Sequence, residues 1–105
     1  MDYTEFEFIL PKGLVDRSGD IHRQGMMRLA TGNDEILVQK DPRVRADPYY
    51  RILVNLSQVI THLGTLSSVT PQLLEQLFLI DLVYLQGFLN HINQQNGRLS
   101  PQGEF

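Results

Sequence analysis

The stretch PQLLEQLFLIDLVYLQGFLNHIN, residues 71–93, carries most of the fold prediction. Thr70-Pro71 is a helix-start signal, because a threonine side chain caps the first N–H groups and proline suits the first helical position. Apolar residues then recur at helical spacing up to Ile92, with no second proline. We therefore predict one long helix over residues 71–93.

Apolar side chains cover a wide part of this predicted helix. On a wheel of about 100° per residue they span roughly 200°. The members of this arc are Leu73, Leu74, Leu77, Phe78, Ile80, Leu82, Tyr84, Leu85, Phe88, Leu89 and Ile92. Leu79 and Val83 extend it onto the polar side. One partner helix is too narrow to cover this surface, so the excess is expected to contact the sheet, a second copy of the chain or another protein.

Asp81 lies near the middle of this apolar arc, where an unpaired carboxylate would be costly to desolvate. We interpret it as a buried polar anchor, with the N–H groups of residues 31–35 or the Tyr49 hydroxyl as the expected donors. The alternative is that it faces a seam completed by another molecule. A catalytic acid is the weaker interpretation, because no second titratable group is predicted beside it.

A second helix is predicted over residues 48–63. Asp47-Pro48 provides a capping carboxylate and a proline at the first helical position, and Gly64 is a stop signal. The apolar residues of this helix fall within an arc of roughly 120°, which is typical of a helix with one buried face. Because the connection over residues 64–70 is short, the two helices are expected to form a long antiparallel hairpin.

The N-terminal third has the pattern of strands. Phe6 and Phe8 alternate with Glu5 and Glu7, which is the period-2 signature of a half-buried strand. We predict antiparallel strands within residues 3–29, with a stop at residues 11–13 and a bulge at Gly25. A short helix is expected over residues 33–40, after a capping threonine. The prediction is thus a single α+β domain over residues 1–95, followed by a flexible tail over residues 94–105.

Composition excludes several classes of protein. The chain has 105 residues, a formal net charge of −3 and no cysteine. The absence of cysteine removes disulfides, thiolate metal sites and cysteine nucleophiles. The negative charge argues against a nucleic-acid partner and against a basic membrane anchor. The acidic start differs from a secretory signal, so a cytoplasmic protein without a membrane partner is expected.

The residue types that usually carry chemistry are scattered along the chain. His22, His62 and His91 lack the i, i+4 spacing of a helical zinc pair. The sequence contains no glycine-rich phosphate loop and no nucleophile-elbow context. The cationic residues that cluster, interleaved with Asp41 and Asp47, are interpreted as a solvated loop; they are Lys40, Arg43, Arg45 and Arg51. We therefore predict no catalytic residue, no metal site and no cofactor.

A series of short segments carries a family resemblance. In the first third these are residues 8–16, 19–23 and 27–31, and the later ones are 34–36, 41–44, 49–50, 55–57, 59–61, 63–64, 77–78, 81–82, 84–86 and 92–93. In their order and spacing over residues 5–95 they resemble phage tail assembly chaperone-like proteins. Those are small proteins encoded with contractile phage tails and related extracellular contractile injection systems.

The resemblance implies a non-enzymatic helper or minor component in building a contractile tail-like particle, near its baseplate, hub or tube. Related sequences often end in a Cys-Pro-x-Cys element, whereas residues 100–105 here contain no cysteine, so no metal site is carried over. The implied partners are protein components of such a particle. A homo-oligomer, a structural subunit that stays in the particle, and an unrelated small adaptor remain alternatives.

The excess apolar surface and the resemblance agree on protein–protein binding. A helix that carries more apolar surface than its own domain covers is suited to docking on another protein. The residues expected to bind the partner are Phe78, Leu79, Leu82, Val83, Leu85 and Leu89.

Overall fold

The structure, a computed structural model, describes residues 4–97 and the side chains of residues 4–94. It combines a three-stranded antiparallel sheet with several helices, so the predicted α+β class is confirmed. The elements in chain order are β1 Glu5–Val15, β2 Ile21–Arg28, α1 Gly32–Lys40, α2 Pro42–Ala46, a 3₁₀ turn Pro48–Tyr50, α3 Arg51–Val59, β3 Ile60–Leu63, α4 Pro71–Leu74 and α5 Leu79–Gly97.

The sheet has the strand order β1-β2-β3, with both neighbouring pairs antiparallel. Phe8 and Leu10 are buried while Glu7 and Ile9 are exposed, which is the alternation that the sequence predicts. β1 and β2 lie within the region predicted as strands, of which Tyr3 falls outside the described residues.

Two details of the strands differ from the prediction. β1 does not stop at Pro11 but continues to Val15, through a bulge in which residues 10–13 lie opposite Arg23 alone. Gly25 does not form the predicted bulge; it pairs regularly with Phe8 and Leu63. A Cβ at Gly25 would lie 2.4 Å from the Phe8 ring, so close packing explains the glycine there.

Helix α1 occupies nearly the predicted range of 33–40 and begins with a capping box. The Asp34 N–H donates to the Thr31 hydroxyl at 3.2 Å, and the Thr31 N–H donates to the Asp34 carboxylate at 2.7 Å. Two first-turn donors are therefore satisfied by side chains, which explains why the helix starts at this point.

The helix predicted over residues 48–63 is wrong in its last four residues. It begins as a 3₁₀ turn and ends at Val59, after which Ile60–Leu63 pairs with β2 as the third strand. Ile60 and Leu63 are both buried, and their i, i+3 spacing is typical of a helix face. In a regular strand two such residues point to opposite faces, but the pairing with β2 is irregular at Thr61, since Met26 pairs with His62 and Met27 with Ile60. The free edge of β2 takes up this segment, and only the tertiary fold reveals that edge.

The helix predicted over residues 71–93 is divided in two. α4 ends at Leu74, residues 75–78 form a turn, and α5 starts at Leu79 and continues to Gly97. The Phe78 carbonyl accepts the N–H of Asp81 and of Leu82, which starts the new helix. Because β3 also interrupts the chain, residues 48–93 do not fold as two long antiparallel helices. Residues 94–97, predicted as tail, are helical, and residues 98–105 lie outside the described residues.

Two apolar clusters fill the interior. The larger joins the sheet to α3, α4 and α5, and its members include Phe8, Leu10, Leu14, Met27, Leu56, Leu63, Leu74 and Leu85. The smaller lies among α1, α2 and α3 and consists of Val38, Val44 and Val54, with Tyr50 packed against it. In the part of the chain that the structure describes, no helix is long and apolar enough to cross a membrane.

Candidate protein-docking surface

Asp81 fastens the start of α5 to the bulge of β1. Its side chain is fully buried, and its two carboxylate oxygens accept the backbone N–H groups of Lys12 at 2.8 Å and Gly13 at 2.9 Å. These two donors lie within the bulge, which interrupts the regular pairing with β2. The carboxylate therefore replaces the acceptors that the bulge displaces, and the negative charge in the first turn of α5 also suits the helix dipole.

The donors predicted for Asp81 are wrong. The N–H groups of Asp34 and Glu35 donate to Thr31 rather than to Asp81, and Tyr49 is 89% exposed. The Pro11-Lys12-Gly13 sequence inside a strand was the available signal. Turn residues at that point disrupt the ladder and leave N–H groups that need another acceptor.

Besides Asp81 of α5, a side chain of β2 also stabilises the bulge. Gly13 has a φ of +102°, a backbone conformation that residues other than glycine rarely adopt. The Arg23 side chain donates from Nε to the Leu10 carbonyl at 2.9 Å. The bulge therefore has acceptors for its N–H groups on α5 and a donor for its carbonyl on β2.

An aromatic row continues the contact between α5 and β1. The Ile9 N–H donates to the Tyr84 hydroxyl at 3.3 Å, and the Tyr84 ring stacks on Phe88 with centroids 6.0 Å apart. Phe88 in turn meets Phe8 edge to face, with centroids 5.9 Å apart. Edge-to-face and offset stacked rings are favourable arrangements of the aromatic quadrupole. This face of α5 is therefore fixed on the sheet, and the opposite face is left outward.

Four large apolar side chains are exposed together at the start of α5 and in the residue before it. Their exposed fractions are 55% for Phe78, 74% for Leu79, 54% for Ile80 and 61% for Val83. We call these four residues the α5 patch. They lie within the six successive positions 78–83, with the buried Asp81 between Ile80 and Val83. The anchor thus presents the apolar side chains to solvent on a rigidly held helix start.

The structure separates the six residues predicted to bind a partner. Phe78, Leu79 and Val83 belong to the α5 patch, while Leu82 and Leu89 are partly buried against the main core. Leu85 is fully buried and has no surface for a partner, so its assignment is wrong. Ile80 takes its place. The turn at residues 75–78 divides the helix and changes which side chains of α5 point toward the core. A helical wheel drawn over an unbroken helix 71–93 therefore does not show that Ile80 is exposed and Leu85 is buried.

A buried histidine forms a second polar cluster, which the sequence did not reveal. His22 Nε2 lies 2.8 Å from Asp16 Oδ2, and the Thr65 N–H donates to Nδ1 at 3.4 Å. Because Nδ1 accepts, the ring proton is on Nε2 and is donated to Asp16. This hydrogen bond lowers the pKa of Asp16 below its usual value. The cluster ties the β1–β2 turn to the loop after β3, and a shallow depression of about 640 Å³ lies beside it.

Two further ion pairs lie on the surface around α1, α2 and α3. Arg43 donates to Asp41, the guanidinium lies 5.5 Å from the centre of the Tyr50 ring, and Arg51 pairs with Glu35. The Tyr50 hydroxyl donates to Glu75 at 2.8 Å, which raises the pKa of Tyr50. Within residues 4–97, no three histidine, aspartate or glutamate side chains are grouped so that they could hold a metal ion.

Comparison with known proteins adds no relative. No family model matches the chain, and neither a curated protein nor a solved structure matches it. The resemblance to phage tail assembly chaperone-like proteins therefore rests on the sequence segments alone.

Proposed function

We propose that this protein is a non-enzymatic accessory factor that binds other proteins through the α5 patch. The observation that carries this proposal is the exposure of four large apolar side chains on one helix start that the chain's own core leaves uncovered. Together they expose roughly 400 Å², which is within the range of apolar patches that serve as interaction sites on monomeric proteins.

The anchoring of the patch supports a docking role. A mobile apolar segment would lose conformational entropy on binding, whereas the Asp81 hydrogen bonds and the Tyr84–Phe88–Phe8 contacts hold α5 in place beforehand. Binding of a partner then costs little ordering of this helix. A rigid helix face with apolar side chains suits a partner that offers a complementary apolar groove or helix.

The partners that we propose are protein components of a contractile tail-like particle, at its baseplate, hub or tube. This part of the proposal comes from the sequence resemblance. Within it, the protein acts as a cytoplasmic assembly chaperone that covers an apolar face of a tail component until that face is built into the particle. No nucleic acid and no membrane takes part.

The test is a binding measurement with purified tube, hub and baseplate components. We expect one of them to bind the full chain, and Leu79→Glu to weaken that binding at least tenfold, because it places a charge in the apolar contact. Ile36→Glu is the control, since Ile36 is also an exposed large apolar residue, at 52%, but lies on α1. A chain that binds none of these components, or that loses binding equally in both variants, would contradict the proposal.

A second measurement distinguishes a chaperone from a structural subunit. A chaperone leaves when assembly is complete, so mass spectrometry of purified finished particles should not detect this chain. Its presence at a fixed ratio to tube or baseplate proteins would instead show a minor subunit that stays in the particle.

A further inference from the structure

The exposed face of α5 has the spacing of a helix-pairing seam. Its outward positions recur at intervals of three and four residues, which is the heptad spacing of helices that pair along their length. These positions are Ile80, Val83, Gly87, Asn90 and Gln94, and all five are exposed. We call them the α5 seam. Its first two members belong to the α5 patch, and the seam extends the patch along the helix.

The seam carries no charge. Among the 19 residues of α5 the only acidic or basic side chain, apart from His91, is Asp81, and that side chain is buried. A helix face that meets only water usually carries several charged residues. An uncharged face in a chain with a net charge of −3 is the part on which two copies can meet without like-charge repulsion.

Gly87 is a further sign of a close neighbour. A glycine inside a helix costs about 1 kcal/mol relative to alanine. A Cβ at Gly87 would meet no atom within 4 Å, so packing within the described chain does not explain the glycine. It lies at the middle of the seam. A glycine at such a position allows the backbone of a second helix to approach closely.

We propose that a second copy of this chain covers the α5 seam, in a parallel α5–α5 pair related by a two-fold axis. In a parallel pair Ile80 and Val83 meet their own counterparts, so apolar surface covers apolar surface. Asn90 and Gln94 also meet their counterparts, and an amide carries both a donor and an acceptor, so it can bond to its own copy. An antiparallel pair would instead place Ile80 against Gln94.

The available area limits this pair to a weak one. The seam, including its polar residues Asn90 and Gln94, and the exposed residues beside it could bury roughly 500 Å² of surface per copy. That is about 1,000 Å² in total, which is the lower limit for a specific interface. We therefore expect a reversible dimer with a dissociation constant in the micromolar range. A dimer of this strength covers Ile80 and Val83 of the α5 patch, and it dissociates readily enough for a partner to bind them. This inference rests on the proposed function only in assigning the patch to protein contact.

The first test is the mass of the chain alone in solution as a function of concentration. Analytical ultracentrifugation from about 1 to about 300 µM should show a monomer–dimer equilibrium. Val83→Glu should shift it toward monomer at least tenfold, because two buried carboxylates would face each other. Ile36→Glu on α1 should leave it unchanged. A chain that stays monomeric at the highest concentration overturns the proposal, as does a dimer that Val83→Glu leaves intact.

The second test reads the direction of pairing and uses the absence of native cysteine. In a parallel pair Asn90→Cys lies opposite its own copy, so mild oxidation should give a disulfide-linked dimer. Ser18→Cys, exposed in the β1–β2 turn, should stay monomeric under the same oxidation. Failure of Asn90→Cys to cross-link at concentrations where the chain is dimeric overturns the parallel pair.

These outcomes are distinguishable from those of the proposed function. A chain that is monomeric alone but binds a tail component through Leu79 overturns the pairing and leaves the proposed function intact. A chain that pairs through the seam but binds no tail component overturns the proposed function and leaves the pairing intact.

Discussion

Asp81 is a single residue on which the position of the exposed surface depends. It lies in the first turn of α5, between Ile80 and Leu82, and its carboxylate reaches across to two N–H groups of β1. A buried charge is costly unless it is fully hydrogen-bonded, and here each carboxylate oxygen has a backbone donor. The same two bonds close the bulge and fix the start of the helix, so the sheet and the α5 patch are joined at this point.

Replacement of Asp81 should therefore lower the free energy of unfolding by more than the loss of two ordinary hydrogen bonds. Asp81→Ala leaves the Lys12 and Gly13 N–H groups without acceptors, and we expect the free energy of unfolding to fall by about 3 kcal/mol. Asp81→Asn keeps one acceptor but turns an NH₂ group toward a donor, so a loss of about 2 kcal/mol is expected. Urea unfolding with an unchanged m-value measures both.

The control for Asp81 is an exposed aspartate. Asp20→Ala, in the β1–β2 turn, should change the free energy of unfolding by no more than about 0.5 kcal/mol. If Asp81→Ala were as mild as Asp20→Ala, the carboxylate would not hold the bulge, and the α5 patch would need another support.

At the scale of elements, the parts that follow local rules were predictable from the sequence. The alternation of Phe6 and Phe8 with glutamates marks β1, and Thr31 with Asp34 marks the start of α1. Asp81 could be recognised as a carboxylate within an apolar arc, although its donors could not. In each of these cases the signal lies within a few residues and has a direct physical cause.

The parts that depend on distant partners were not predictable. Ile60–Leu63 becomes a strand because β2 offers it an edge, and nothing within the segment marks that edge. The break between α4 and α5 lets Leu74 and Leu77 enter the core while Asp81 reaches the bulge of β1. Both outcomes depend on tertiary contacts, which override local helix propensity.

The end of β3 offers a test of this tertiary control. Gly64 has φ +57, and a Cβ at this position would lie 2.1 Å from His22 Nδ1. Gly64→Ala should therefore lower the free energy of unfolding by at least about 2 kcal/mol, because it adds a collision with a buried ring to the backbone strain. Thermal and urea unfolding measure the loss.

Gly19→Ala is the matched control for Gly64→Ala. Gly19 also has a positive φ of +90, but a Cβ there would meet no atom within 4 Å. Its replacement should cost only the backbone strain, about 1 kcal/mol. Removing the ring with His22→Ala should reduce the added cost of Gly64→Ala in a double-mutant cycle. Equal losses at the two glycines would show that the contact with His22 does not position the loop after β3.

At the scale of the whole molecule, one guanidinium links the sheet to the helices of the smaller apolar cluster. Arg28, at the end of β2, donates to both carboxylate oxygens of Asp34 at 2.8 and 2.9 Å and to the Gln58 carbonyl at 2.9 Å. These bonds connect the sheet, the start of α1 and the end of α3. The side chain of Asp34 is only 9% exposed, so solvent screens this pair less than the surface pairs.

The pH dependence of stability should show the contribution of the Arg28–Asp34 ion pair. The hydrogen bond from Arg28 lowers the pKa of Asp34 from its usual 3.8 to about 2. Since the folded pKa is the lower one, the ionised carboxylate stabilises the fold above about pH 4, and this contribution is lost as the pH falls to about 2. The expected size is about 1–2 kcal/mol, less than the full shift implies, because the guanidinium is partly solvated.

Asp34→Asn isolates this contribution from the other carboxylates. The difference in unfolding free energy between the native chain and Asp34→Asn should be constant from pH 7 to about pH 4 and should shrink between pH 4 and pH 2. In an Arg28→Ala background the pH-dependent part of that difference should shrink, because the largest cause of the lowered pKa is gone while the hydrogen bond from the Thr31 N–H remains. A difference that does not change with pH, or whose pH-dependent part is the same without Arg28, would show that this ion pair adds nothing to the apolar contacts that already join the sheet to the helices.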